Sequence, residues 1–174
     1  MSRCAKLLIA ASLVIFCFAL PGYTFAKTGS TPETAEVDKL LEKIAAYEEG
    51  QSRDNLIKLE DIVRQSHNSP KLLRQIEKQF LKFLRSDASL AGKQFVCRQL
   101  AVIGSEDSVP TLVEMLNSQE TADMALYALE QIPGAAVDKA MSKALDKTSG
   151  KTKVGVINSL GKRGNKASDR KSVV

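Results

Sequence analysis

Few residues in this chain have the types and spacing that could do chemistry, and the first candidate is a phosphate-binding loop. Thr148–Thr152 reads TSGKT and so contains the GKT of such a loop. The loop also needs a glycine five positions before Gly150 and a preceding strand, because successive backbone N–H groups must curl around the phosphate. Position 145 is leucine, and the segment before it has a helical pattern. We therefore interpret Thr148 or Ser149 as the cap of a following helix.

The second candidate is a metal or nucleophile site built from histidine and cysteine. His67 is the only histidine, and Cys97 is the only cysteine left once Cys4 and Cys17 in the N-terminal segment are set aside. A zinc site needs more nitrogen or sulfur ligands, and a nucleophilic thiol needs a base beside it. We expect a surface histidine in a turn and a thiol buried in the core. The sequence thus predicts no catalytic residue, no metal and no cofactor.

The N-terminal segment has the layout of a secretory signal peptide. Arg3 and Lys6 precede the apolar run Leu7–Leu20, and Thr24–Ala26 ends the segment with a small residue. The run is too short for a membrane-spanning helix, which needs roughly 20 residues. We predict cleavage after Ala26 and export to the periplasm or beyond, without a stable membrane span. The remaining chain has a net charge of +3, because residues 1–26 carry two of the 25 Lys and Arg and none of the 20 Asp and Glu.

Apolar residues recur at helical spacing through the rest of the chain, and no run of alternating β-branched residues predicts a strand. A flexible lead-in, 27–32, precedes an N-terminal helical region, 33–88. Its three predicted helices are introduced by the capping residues Ser30, Ser52 and Ser69, and Pro70 follows the last of these at the first helical position. The sequence therefore predicts an all-α protein whose stability comes from helix packing, since no cysteine pair is left for an intramolecular disulfide.

A helical unit repeats in the second half of the chain. Leu100–Ile103 aligns with Leu129–Ile132 at an offset of 29, and a further step of 28 reaches Ile157–Leu160. Glycines stop the helix after each copy and a second helix follows the first two stops, with Asp107 as its predicted cap in the first unit. The predicted stops are Gly104, Pro133-Gly134, and Gly161 with Gly164.

The repeat defines two full units and a half unit. These span 89–118, 119–148 and 149–164, and a basic tail follows at 165–174. We predict that the helix of the half unit has Val154, Ile157 and Leu160 on its apolar face, and that these side chains stay partly exposed because the second helix of the unit is missing. Our hypothesis is that the chain is the N-terminal part of a longer protein, and the alternative is a complete protein with a frayed basic tail.

The stretch FVCRQLAVIGSEDSVPTLVEML resembles a HEAT-like repeat of the short bacterial class first noted in phycobilisome-linked lyases. Leu100, Gly104, Val109 and Pro110 stand at pattern positions, whereas the second unit has Asp138 where the first has proline. The resemblance covers about residues 89 to 164. It implies a right-handed α-solenoid of antiparallel helix pairs, with about eight helices after the signal peptide, because stacked pairs bury one continuous core. Such repeats usually hold other proteins.

From this resemblance we expect an exported, non-enzymatic scaffold that binds another protein or peptide. The second helix of each unit commonly lines the concave side, so its positions outside the core are the predicted contacts: Thr111, Glu114, Met115, Lys139, Ser142 and Lys143. One alternative is binding of nucleic acid or another anion, because residues 139–171 hold ten Lys and Arg against two acids. The other is a lyase or accessory enzyme, which only the resemblance suggests.

Overall fold

A computed structural model describes the backbone of residues 32–171 and the side chains of residues 33–164. The predicted signal peptide and nearly all of the lead-in lie outside the described residues. Within them the protein is all-α, with eight α-helices as the sequence predicts and no strand. The helices are α1 (Pro32–Ile44), α2 (Asp54–Gln65), α3 (Pro70–Leu84), α4 (Leu90–Ile103), α5 (Val109–Glu114), α6 (Gln119–Gln131), α7 (Ala135–Ala144) and α8 (Gly150–Lys171). Short 3₁₀ helices span Ser66–Asn68, Glu106–Ser108 and Met115–Asn117.

The predicted helix starts are met only in part: Ser69 stands at the cap position of α3 without a side-chain cap bond, and Arg53, not Ser52, stands at the cap position of α2. Pro70 opens α3, and the Ser52 hydroxyl accepts the Asp54 N–H ahead of α2 at 3.3 Å. The predicted cap Asp107 is wrong, because Ser105 is the capping side chain and accepts the Asp107 N–H at 3.2 Å. The chain then passes through a 3₁₀ turn before α5 begins without a side-chain cap.

Of the two residues predicted to cap α8, Ser149 directly precedes the helix and its carbonyl accepts the Lys153 N–H at 3.3 Å, whereas Thr148 belongs to the end of the preceding helix. The Thr148 hydroxyl is buried and donates to the Ala144 carbonyl at 2.9 Å, four residues earlier. The hydroxyl therefore extends the C-terminal end of α7, and the helix that follows begins at Gly150 with a positive φ of 53°. No strand precedes this segment in the described part of the chain, which removes the structural context that a phosphate-binding loop needs.

The helices contact one another in two rows. One row runs α2, α4, α6 and α8, with each helix touching the next. In the second row α1 contacts α3, and α5 contacts α7. Contacts between the rows join α1 with α2, α3 with α4, α5 with α6, and α7 with α8. The last helix α8 packs on both α6 and α7 of the preceding unit, and among the described residues no further helix follows it as the second helix of its own unit.

One continuous apolar core lies between the rows. Its largest fully buried side chains include Phe80, Leu100, Leu112, Leu129 and Met141, which come from five different helices. Burying a side chain of this size contributes about 1.5 to 3 kcal/mol. Most of the apolar residues of α3, α5 and α7 are buried or packed against this core.

The predicted partial exposure of the apolar face of α8 is confirmed for Val154 and Ile157, whereas the buried side of this helix was not predicted. Val154 and Ile157 are 57% and 52% exposed, whereas Val156 and Ser159 are buried. The reason is close approach to α6: a Cβ at Gly155 would lie 2.7 Å from the Leu126 Cδ1, so only glycine fits there without a shift. Gly155, Val156 and Ser159 therefore lie on the packed side of α8, and Val154 and Ile157 lie outside it.

Only two of the predicted stops end a helix. Gly104 follows α4 in an extended conformation with φ −63°, and Gly134 precedes α7 with φ 113°, which favours glycine. A Cβ at Gly104 would also lie 2.9 Å from the Ile132 Cδ1. Gly161 and Gly164 are not stops, because α8 continues through them to Lys171. The predicted basic tail therefore has helical backbone as far as that residue.

Candidate functional site

A groove between α5 and α7 is the candidate site. It has a volume of about 390 Å³, within the range of small-ligand pockets. Proline, valine and alanine supply its apolar part, and Glu114, Lys143 and Lys147 supply its charges. The lining residues are Pro110, Val113, Glu114, Asn117, Ala140, Lys143, Ala144, Lys147 and Thr148.

The structure places only two of the six predicted contact residues in this groove. Glu114 on α5 and Lys143 on α7 both line it and are exposed. Lys139 and Ser142 are exposed on α7 but do not line it, and the Ser142 hydroxyl donates to the Asp138 carbonyl at 2.8 Å.

The other two predicted contacts point towards the interior. Thr111 is 2% exposed, so its prediction as a position outside the core is wrong. Its hydroxyl accepts a hydrogen bond from the Arg85 Nη2 at 2.7 Å, which explains how a polar residue is buried here. Met115 is half-buried and packs against the core at the start of a 3₁₀ turn.

Seven of the nine residues that line the groove were not predicted from the sequence. Pro110 and Asn117 lie four residues before and three residues after Glu114, and Ala140 and Lys147 lie three residues before and four residues after Lys143. Residues at this spacing are neighbours on one helix surface. Helical spacing around the two charged residues was therefore the signal that could have found the groove.

A buried carboxylate fixes the segment that leads into α5. Glu77 of α3 is buried, and its Oε1 accepts the Ser105 N–H at 2.7 Å and the Ser108 hydroxyl at 2.5 Å. The Ser105 hydroxyl lies 2.9 Å and 3.0 Å from the two carboxylate oxygens. Burying a charged group is costly unless it is hydrogen-bonded, and here Ser105 and Ser108 of the turn before α5 donate the bonds. Glu77 thus positions one wall of the groove.

An arginine from α8 fixes the segment that leads into α7. Arg163 is 8% exposed, and its Nη1 donates to the carbonyls of Leu129 and Ile132 at 2.7 and 2.6 Å. Its Nη2 donates to the Gly134 carbonyl at 3.1 Å, and its Nε donates to the Asp138 Oδ1 at 2.5 Å. A cation at a helix C-terminus satisfies the last carbonyls, which have no partner within the helix. The second wall is therefore also held by a neighbouring helix.

Cys97 and His67, which were considered as a thiol nucleophile and a metal ligand, do not line the groove. Cys97 is fully buried, and burial raises the pKa of its thiol to about 12, a shift that nearby Lys93 partly opposes. A thiol with such a pKa stays protonated near neutral pH and is a poor nucleophile. His67 is exposed in the 3₁₀ turn after α2.

The described residues contain no group of three or more His, Cys, Asp or Glu side chains that could hold a metal ion. No helix among residues 32–171 is long and apolar enough to cross a membrane.

Part of the basic excess near the C-terminus is paired with acids. The Lys162 Nζ lies 3.2 Å from the Glu130 Oε1, which also accepts from the Ser159 hydroxyl, and Arg163 pairs with Asp138. Lys143, Lys147 and Lys151 are exposed, and no ion pair joins them to an acid within the described side chains. The exposed positive charge is therefore concentrated along α7 and at the beginning of α8.

Comparison with known proteins gives no match of any kind. No family model, no curated protein and no solved structure matches this chain.

Proposed function

We propose that the protein is an exported, non-enzymatic α-solenoid of HEAT-like repeats that binds a segment of another protein in the groove between α5 and α7. The two rows of helices and the contacts between them support the solenoid, because stacked helix pairs produce this contact pattern. The export part of the proposal depends on the signal-peptide pattern before Lys27.

The observation that carries the proposal is the composition of the groove. An apolar strip from Pro110, Val113 and Ala140 is flanked by Glu114 on one wall and Lys143 on the other. Interfaces combine an apolar centre with a polar rim, and opposite charges fix the orientation of the bound segment. An extended or helical segment with apolar residues between a basic and an acidic one complements this groove.

Charge reversal tests the proposal. Glu114→Lys and Lys143→Glu each place a like charge opposite the complementary group of the partner, so we expect each to lower partner capture by about tenfold or more. The matched control is Lys139→Glu, one helical turn earlier on α7 and outside the groove. The measurement is capture of crosslinked partners by the full chain from its native cells, quantified by mass spectrometry. Equal capture by the wild type and all three variants would contradict groove binding.

The two other functions remain hypotheses with direct tests. A basic solenoid that binds nucleic acid predicts duplex binding that weakens steeply with salt and retention of the protein in the cytoplasm. A lyase or accessory enzyme predicts a visible absorbance band after incubation with a linear tetrapyrrole. Cell fractionation with the N-terminal residue of the native protein separates the exported form from a cytoplasmic one.

A further inference from the structure

The groove between α5 and α7 does not end at the last residue of α7. A second pocket of about 440 Å³ adjoins it, and the two share Asn117, Lys147 and Thr148 as lining residues. Thr148–Thr152, the stretch that reads TSGKT, supplies five of the nine residues that line the second pocket. The groove therefore continues from α7 across the connection to the beginning of α8.

The second pocket is polar, whereas the groove has an apolar strip. Leu116 is the one aliphatic side chain among its described lining residues, and that side chain is only 2% exposed. No hydrogen bond joins the other polar lining side chains to a described residue, and these are Asn117, Gln119, Ser149 and Thr152. Their amide and hydroxyl groups are therefore free to bond to a polar ligand.

The charge of the second pocket is positive and is not neutralised by a neighbouring acid. Lys147 and Lys151 line it, and no described acid does, because Glu114 lines only the groove. Two acids, Glu120 and Asp146, are adjacent in sequence to lining residues, but both are exposed and neither lines the pocket. Neither forms an ion pair with the two lysines. The pocket thus favours an anionic group.

We infer that the partner segment continues from the groove into the second pocket with an acidic end, whose carboxylates pair with Lys147 and Lys151; this rests on the proposed function, because it extends the same bound segment. The whole segment has a basic residue beside Glu114, apolar residues over the strip, and acidic residues from Lys143 onward. Nucleic acid fits less well, because its phosphates would also meet the Glu114 carboxylate. No described aromatic side chain lines either pocket to stack on a base.

Selection from two pools of synthetic peptides by the full chain tests the acidic end. Peptides of the first pool contain a lysine, a short variable apolar stretch and a run of glutamates, in both chain directions. The second pool is identical except that glutamines replace the glutamates. Mass spectrometry quantifies the peptides retained in about 0.15 M salt. Each exposed ion pair contributes a factor of about two to five, so we expect the wild type to prefer the glutamate pool by about fourfold or more.

Variants of the lysines separate this pocket from the groove. Lys147→Gln combined with Lys151→Gln should remove most of the preference, whereas the matched control Lys153→Gln, an exposed lysine of α8 that lines neither pocket, should keep it. Equal retention of the two pools by the wild type, or an equal loss of preference in the control, would overturn the acidic end and leave groove binding intact. Retention of neither pool, or retention that Glu114→Lys and Lys143→Glu leave unchanged, would contradict the proposed function and the acidic end with it. Far-UV circular dichroism of each variant verifies that the helices are intact.

Discussion

The turn between α6 and α7 depends on one side chain, and its removal is the perturbation with the clearest expected magnitude. Arg163→Ala takes the guanidinium away from the carbonyls of Leu129, Ile132 and Gly134. The arginine is nearly buried, so these carbonyls are held in a place that water reaches poorly. The variant leaves the backbone of α8 unchanged and alters only this connection between helices.

The magnitude follows from the number and type of bonds lost. A hydrogen bond to a charged group contributes about 1.5 to 3 kcal/mol, and leaving a buried acceptor unpaired costs about 1 to 3 kcal/mol. Partial access of water after truncation reduces the sum, so we expect Arg163→Ala to lower the free energy of unfolding by about 2 to 4 kcal/mol. Arg163→Lys should recover only part of this, because an ammonium cannot reproduce the planar fork.

The measurement is urea unfolding followed by far-UV circular dichroism, with the midpoint and the slope fitted separately. The ion pair is isolated by Asp138→Asn, which should cost less than about 1 kcal/mol because the carboxylate is half exposed. A free energy of unfolding for Arg163→Ala within about 0.5 kcal/mol of the wild type would refute the capping role. If Asp138→Asn lowered the free energy of unfolding as much as Arg163→Ala does, the ion pair and not the carbonyl bonds would account for the stabilisation.

Two further predictions concern glycine and the buried thiol. Gly104→Ala should lower the free energy of unfolding by about 2 kcal/mol or more, because the new Cβ would overlap the Leu100 carbonyl. Gly161→Ala should raise it by about 0.5 to 1 kcal/mol, because a Cβ there meets nothing within 4 Å and alanine favours the helix. Thermal unfolding of both variants checks that the two effects have opposite signs. Burial raises the pKa of Cys97 to about 12, so the stability it contributes is complete below the unfolded pKa of about 8.5 and is lost as pH rises towards 12. Between neutral pH and about pH 10, the free energy of unfolding should fall by roughly 1 to 2 kcal/mol more for the wild type than for Cys97→Ala. Urea unfolding at both pH values measures this difference, and an equal fall for the two proteins would contradict the role of Cys97.

Local signals in the sequence were sufficient to predict most of the helices. Ser69 and Pro70 mark the beginning of α3 because a proline at the first helical position loses no hydrogen bond. The burial of Cys97 and the exposure of His67 also followed from residue type and position. In each case the information lies within a few residues of the predicted feature.

Features that depend on distant residues could not be read in the same way. Apolar spacing placed Val154 and Ile157 on a partly exposed face of α8, but it gave no sign that Val156 would be buried or that Gly155 would approach α6. Thr111 was predicted to lie on the surface because it is polar. That prediction failed because its hydrogen-bond partner Arg85 is 26 residues away in the sequence. The repeat pattern predicted Glu114 and Lys143, which lie 29 residues apart on the equivalent helices α5 and α7, but it did not show which other residues of the two helices line the space between them.

The two turns that carry the groove walls receive their anchoring side chains from opposite directions along the chain. Glu77 precedes Ser105 by 28 residues, whereas Arg163 follows Ile132 by 31. As the polypeptide is made from its N-terminus, the turn before α5 has its anchor as soon as it emerges, but the turn before α7 must wait for α8. A chain arrested after Thr148 would contain both groove helices yet lack the guanidinium that joins α6 to α7. The order of synthesis therefore makes α8 the step that completes the groove.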